Sequence, residues 1–254
     1  MSDVSLSSVA AHGWSRPDAG ALLASAELTV HGRFVNASNH TTLVRVGDPE
    51  LGLLAVYKPQ AGERPLWDFP TGTLHHREVA ACVVSDYLGW QVVPPTVLRG
   101  GPLGRGSVQL FVPHDPRRHY FALVEEGAHR DALARMAAFD VLINNADRKG
   151  SHVLLAGDGH IWGCDHGLSF HPQVKLRTVI WDFAGQLLAE AQRRDLARLR
   201  AALNDADSVV AAALADLLSP EELVALRLRA EALEETGALP DLPEEYRPYP
   251  WPPL

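Results

Sequence analysis

The apolar pattern of this chain changes period once, near Pro113, and that switch limits the folds open to it. Before it lie short runs rich in Val, Leu and Thr: AELTVHGRF, TTLVRVG, GLLAVYKP, QVVPPTVLR and SVQLFVP. Each is bounded by Gly, Pro or Asn and reads as a strand. One helix interrupts them. In LHHREVAACVVSDYLG, Val79, Cys82, Val83 and Tyr87 recur at helical spacing, and the run stops at Gly89. After the switch, ALARMAAFDVLINN and the stretch from Asp182 to about Glu235 are dense in the helix formers Ala, Leu, Arg and Glu. Between them, two apolar runs flank Gly157-Asp158-Gly159, the pattern of a β-hairpin with a tight turn. A sheet with one helix, followed by helices with one hairpin, predicts an α+β protein of two lobes. Its expected parts are a lead-in over 1–26 with a short helix near Asp18 to Ala26, a β-rich N-terminal lobe over 27–113, a mainly helical C-terminal lobe over 114–240, and a tail over 241–254. The tail is too rich in proline for regular structure; it packs through Tyr246, Tyr249 and Trp251 or simply runs extended.

Composition narrows the function classes. Hydrophobic residues make up 46% of the 254 positions and charged residues 21%, enough to build a sizeable core, which argues against disorder. The net charge is −8, from 23 Lys+Arg against 31 Asp+Glu, which disfavours nucleic acid and anionic lipid as partners. Cys82 and Cys164 belong to no C-x-x-C pair, so neither a disulfide framework nor a zinc site is expected. The opening MSDVSLSSVAAHGW has no basic region ahead of an apolar core, and VVAAALADLL is too short to span a bilayer. The expectation is a cytoplasmic protein with no stable membrane insertion.

Four charged residues suggest the chemistry. Phosphoryl transfer needs a cation on the phosphates, acidic groups for Mg²⁺ and a carboxylate near the attacking hydroxyl. Lys58 ends the strand run GLLAVYKP, and the helix that follows carries Glu78, at a separation suited to an ion pair. A Lys fixed by a Glu is a positioned charge for the α- and β-phosphates. Asp147 follows a helix and precedes the hairpin, so it sits in a loop between rigid elements. Asp165 follows the second hairpin strand in a D-x-G, with Gly167 permitting a sharp turn beyond it. Alone, D-x-G means little. The order Lys, Glu, loop Asp, hairpin, Asp means much more.

Three segments, AVYKP with the later REVAA, then NNADRKGSHVLL, then IWGCDHGLSFHP, make the chain resemble the phosphatidylinositol 3- and 4-kinase superfamily. The likeness is greatest to the type II phosphatidylinositol 4-kinases and small bacterial kinase-like proteins. It covers about Gly32 to Phe170. The resemblance implies a two-lobed protein-kinase-like fold and use of ATP with Mg²⁺ or Mn²⁺. It implies that Lys58 contacts phosphate, Glu78 orients Lys58, Asp147 faces the acceptor hydroxyl and Asp165 binds metal. Five residues after Asp147, where the family has a metal-coordinating Asn, this chain has His152. Imidazole suits Mg²⁺ poorly. That leaves one Mg²⁺ held mainly by Asp165, a preference for Mn²⁺, or a pseudokinase that binds nucleotide without turnover.

Softer expectations complete the reading. GRFVNASNHTT lies between two strands, where Ser38 and Asn39 would cover phosphates. The backbone at Gln109, Phe111 and Val112 immediately precedes the change to helices and is the expected adenine contact. Arg148 either holds the catalytic loop by an ion pair or is exposed. The histidines, His75, His76 and His119 among them, form no metal pattern and read as surface residues. The segment AGERPLWDFPTG, with Trp67 and Phe69, is long enough for a lid or a substrate-contacting loop. The phosphate acceptor is a protein, a small molecule or an inositol lipid.

Overall fold

The computed structural model describes residues 16–33, 41–244 and 246–254. Helix α1 (Arg16–Ser25) leads into strands β1 (Leu28–Arg33), β2 (Thr42–Val46) and β3 (Leu53–Pro59). Helix α2 (Leu74–Leu88) follows, then β4 (Thr96–Gly101) and β5 (Gly104–Leu110). The five strands form one antiparallel sheet in the order β1-β2-β3-β5-β4. The remainder is helical apart from the hairpin: α3 (Tyr120–Glu126), α4 (Arg130–Ile143), β6 (Val153–Leu155), β7 (Ile161–Gly163), α5 (Glu190–Leu203), α6 (Val209–Ala215) and α7 (Pro220–Thr236). This is the α+β architecture of a β-rich lobe and a helical lobe expected from the change of period.

Alternation sorts the sheet into two faces. Leu53, Ala55 and Tyr57 of β3 pack with Val44, Val46 and Val108 against Ala19 and Leu23 of α1. The intervening positions, Leu54, Val56 and Lys58, therefore face the other way, toward α2. Helix α2 stops at Gly89, which adopts φ +72° and closes the helix with a left-handed cap. Although α2 lies within the β-rich half of the sequence, its Ala80, Ala81, Cys82, Val84 and Leu88 join the large core formed by α4, the hairpin and α5–α7. A buried ion pair from Arg77 to Glu222 ties α2 to the start of α7. The second Glu222 oxygen accepts the Ser219 N–H at 2.9 Å, so the same carboxylate caps α7.

Several expectations change. The helical stretch expected from Asp182 begins only at Glu190, and it divides into three helices because Ser208 and the Ser219-Pro220 pair each start a new one with a side-chain cap. Helix α3, only 7 residues long, is an element the sequence pattern does not single out. Strand β4 begins at Thr96, after Pro94 and Pro95 have removed two backbone donors. His75 is not a surface residue: it is 2% exposed and its Nδ1 lies 2.7 Å from Glu63. The tail has no regular structure, as expected, but it attaches through backbone carbonyls while Trp251 is largely exposed. Among the described residues no helix is long and apolar enough to cross a membrane.

Candidate active site

The penultimate position of β3 carries Lys58 out of the sheet on the α2 side. There its ammonium bonds Glu78 and lies 2.8 Å from Asp165 Oδ1. Glu78 is buried, and its other oxygen accepts the His166 N–H at 3.0 Å. One carboxylate thus links the sheet, α2 and the segment after the hairpin. Burial alone would depress the Lys58 pKa, but Asp165 and Glu78 outweigh it and raise the pKa well above the ordinary lysine range. The Lys58 ammonium in turn holds the Asp165 carboxyl far below the ordinary range.

Asp165 has φ +59°, a left-handed conformation that Asp tolerates better than most residues. The turn expected beyond it lies at Gly167 and Leu168, with no positive φ needed at Gly167. Glycine has a different task here: Gly163 passes under Arg148, where an added Cβ would stand 3.2 Å from Nη2. Asp165 is the open member of the group, with its side chain 52% exposed.

Asp147 sits in a loop held from below. Asn144 ends α4 in the left-handed region, and its amide donates to the carbonyls of His171 and Gln173 at 2.8 and 2.7 Å. Asn145 Oδ1 accepts the Asp147 N–H at 3.0 Å. Beneath them the Arg148 side chain is fully buried and doubly bonded to Asp140 at 2.9–3.1 Å. Arg148 also donates to the Cys164 carbonyl at 2.8 Å and to His166 Nε2 at 2.7 Å, so one guanidinium braces the catalytic loop and the Asp165 segment together. The ion-pair expectation for Arg148 holds. Burial raises the Asp147 pKa to about 6, with Asp165 adding to the rise and Lys149, 3.6 Å away, opposing it.

His152 comes to the same place. Its Nε2 lies 3.5 Å from Asp165 Oδ2, and its Nδ1 accepts the Lys149 N–H at 3.4 Å. Burial lowers its pKa to about 4, aided by Arg148, Lys58 and Lys149 and opposed by Asp165, so the ring is neutral at physiological pH.

The structure therefore brings Lys58, Glu78, Asp165, His152 and Asp147 together. The expected adenine contacts fare differently. Gln109 is interior to the sheet, paired with both Val56 and Thr96, and its amide donates to Thr96 Oγ1 at 2.9 Å. Its backbone is committed to the sheet, which removes it as an adenine contact. Phe111 and Val112 lie beyond the strand, but the Phe111 N–H donates to Leu54 and the Val112 carbonyl accepts from His114 Nδ1. A cavity of about 910 Å³ borders Phe111 on the side of Pro113, His114 and the hairpin turn, and none of the five site residues lines it. Ser38 and Asn39 lie outside the described residues. Sequence reasoning missed Asp140, Asn144, Asn145 and His166. An acid one helical turn before an N-N-x-D-R run was the available signal for Asp140.

No protein-family model matches the chain. Two solved structures resemble it in fold. Hydra Fam20 with sugar gives a TM-score of 0.55 at 16% identity, with 87% of each chain covered. The Golgi casein kinase with Mn/ADP bound gives 0.51 at 13% identity, covering 87% of this chain and 78% of that one. These likenesses establish a kinase-like fold. In sequence, the chain is 42% identical over 270 residues to Protein Rv2133c of Mycobacterium tuberculosis, covering 93% of this chain and 96% of that protein. The chain belongs to the family of this mycobacterial protein.

Proposed function

We propose that this chain is a kinase that moves the γ-phosphate of ATP to a hydroxyl group. One observation carries the reading. The Lys58 ammonium joins Glu78 to Asp165, while His152 and Asp147 approach Asp165 from the catalytic loop. A lysine fixed between two acids supports a role as the stationary cation for the α- and β-phosphates. Asp165 Oδ2 and His152 Nε2, 3.5 Å apart, converge closely enough to bind one divalent ion. Ligation through Nε2 moves the ring proton to Nδ1, at the expense of the long bond from Lys149. Among the described residues no group of three or more His, Cys, Asp or Glu is arranged to hold a metal, so phosphate oxygens and water complete the coordination. An imidazole in the donor set favours Mn²⁺, and the Mn/ADP complex of the similar Golgi casein kinase is in keeping with that. The bound ion supplies charge neutralisation at the phosphates.

Asp147 takes the proton of the acceptor hydroxyl as its oxygen attacks phosphorus. A carboxyl titrating near 6 is a stronger base than an ordinary aspartate and is still mostly ionised at pH 7. For the acceptor, the motif resemblance to the type II phosphatidylinositol 4-kinases supports an inositol lipid. The net charge of −8 supports a protein or a small molecule instead, and we favour these. A second reading, nucleotide binding without transfer, has His152 in its favour.

The test is incubation of the purified chain with γ-labelled ATP, Mg²⁺ or Mn²⁺, and a panel of protein, metabolite and lipid acceptors. Transfer that requires Asp147 and runs at least as well with Mn²⁺ supports the kinase. ATP binding without label transfer to any acceptor, or to the chain itself, moves the reading to the second one. A chain whose melting temperature ATP and metal leave unchanged sinks both.

A further inference from the structure

Among its described residues, the proline-rich segment beyond Pro240 forms no helix or strand, yet its backbone meets the residues that carry Asp147. The Pro248 carbonyl accepts the Thr178 N–H at 3.0 Å and the Trp181 indole N–H at 3.2 Å. Thr178 is part of the support beneath the catalytic loop: its hydroxyl lies 3.3 Å from Asp140, and it pairs in parallel with Arg148. Further on, the Pro253 carbonyl accepts the Gly150 N–H at 2.8 Å. Gly150 lies between Asp147 and His152 in the chain, so this bond is made inside the loop. Leu254 and Phe121 of α3 close over the same glycine, where an added Cβ would stand 2.9 Å from the Phe121 ring and 3.2 Å from Leu254. Pro250, between the two attachment points, is buried.

Besides the side-chain bonds of Asn144, Asn145 and Arg148, the backbone of the catalytic loop is anchored along one edge. Arg177 donates to the Asn145 carbonyl, the Arg148 N–H donates to Arg177, and Val179 donates to Arg148, all at 2.9–3.0 Å. That ladder covers the loop up to Arg148 and leaves Gly150 to the second anchor. Prolines suit this task. Their fixed φ limits the freedom of a backbone that bends at Tyr249, Trp251 and Pro252, they lose little entropy on ordering, and their carbonyls still accept.

We propose that residues 246–254 form a positioning strap whose attachments at Pro248 and Pro253 hold the catalytic loop so that Asp147 and His152 face one cleft. This rests on the kinase reading of Asp147, and the test separates the two. In the full-length chain, Pro248, Pro250 and Pro253 are replaced together by Gly, which keeps every carbonyl acceptor but restores backbone freedom. Trp181→Phe removes a single donor. Amide exchange followed by NMR reads the strap without any need for turnover. The triple variant is expected to exchange the Gly150 amide about tenfold faster or more, while amides within α4 such as Leu142 stay protected. Trp181→Phe is expected to give a smaller acceleration at the same amide. With the best acceptor, kcat falls about tenfold in the triple variant while KM for ATP rises only about two- to threefold, because Asp147 acts on the acceptor hydroxyl and the nucleotide keeps Lys58 and Asp165, which lie outside the loop. Unchanged Gly150 exchange overturns the strap, and so does faster exchange with kcat intact. If the wild-type chain transfers no phosphate, the kinase reading fails, and Gly150 exchange alone decides whether the strap holds the loop.

Discussion

Two aspartate–cation pairs lie close together in this molecule and are built in opposite ways. Asp140 and Arg148 are both fully buried, and Asp140 accepts from Arg148, Asn145 and Thr178. Asp165 meets Lys58 at a similar distance, 2.8 Å, yet half of its side chain is open to solvent. The first pair is closed on all sides and can only hold. The second leaves one carboxylate oxygen facing the cleft, where a metal or a phosphate can reach it. Burial separates a closed pair from an open one, although in sequence both are simply an Asp and a base.

The comparison breaks most visibly if the buried partner is removed. Asp140→Ala leaves Arg148 buried and unpaired, so the expected loss is about 3–5 kcal/mol, read as a fall of roughly 10 °C in melting temperature. Asp165→Asn leaves Lys58 its bond to Glu78, and the expected loss of stability is below about 1 kcal/mol. Its cost falls on function: the metal-dependent part of the ATP-induced rise in melting temperature disappears. Equal melting losses in the two variants would erase the distinction drawn above.

Asp147 stands between these extremes, partly buried yet reachable. Asp147→Ala is expected to lower turnover about 10²-fold or more while leaving ATP affinity nearly intact, because a base acts mainly in the transition state. In the wild type, kcat/KM should rise with pH through about 6, the value to which burial pushes this carboxyl. Full turnover in the alanine variant would show the catalytic-loop assignment to be wrong.

The same shift has a cost in stability, and its sign is definite. The folded pKa lies above the ordinary 3.8, so the folded state holds this proton more tightly than the unfolded chain does. That contribution is complete below about pH 4 and is lost as pH rises through about 6. Asp147→Asn should therefore stabilise the protein at pH 7–8, by up to about 2–3 kcal/mol, and the gain should shrink on acidification toward pH 4. Melting curves of the two proteins across that range decide it, and a gain independent of pH would mean that the carboxyl is not strained by burial.

The smallest effect is expected at His152. His152→Asn replaces the imidazole with a carboxamide oxygen, and turnover with Mg²⁺ relative to Mn²⁺ should rise a few-fold. An unchanged metal ratio would remove His152 from the metal set. A wild type that never transfers phosphate, together with a variant that does, would establish nucleotide binding as the native role.

Much of this molecule is legible in its amino-acid sequence. Strand alternation puts Lys58 on a defined face, the 3.6-residue period produces α2 and its stop at Gly89, and Gly157-Asp158-Gly159 marks the hairpin. These signals are local, each contained in a window of about one element. The order Lys58, Glu78, Asp147, Asp165 is visible too, because residue type and spacing are read directly from the chain. What local pattern cannot supply is contact across distance. Gln109 reads in sequence as a backbone contact for adenine, whereas its strand has neighbours on both sides. His75 reads as surface, whereas Glu63 encloses it. The spacing of Asp140 to the N-N-x-D-R run hints at a contact but not that the guanidinium it meets is fully buried, and nothing in a run of prolines names Gly150 as its partner. Propensity and period are properties of short segments, whereas burial and pKa belong to the assembled molecule. They depend on which distant groups exclude water, and only the tertiary structure decides that.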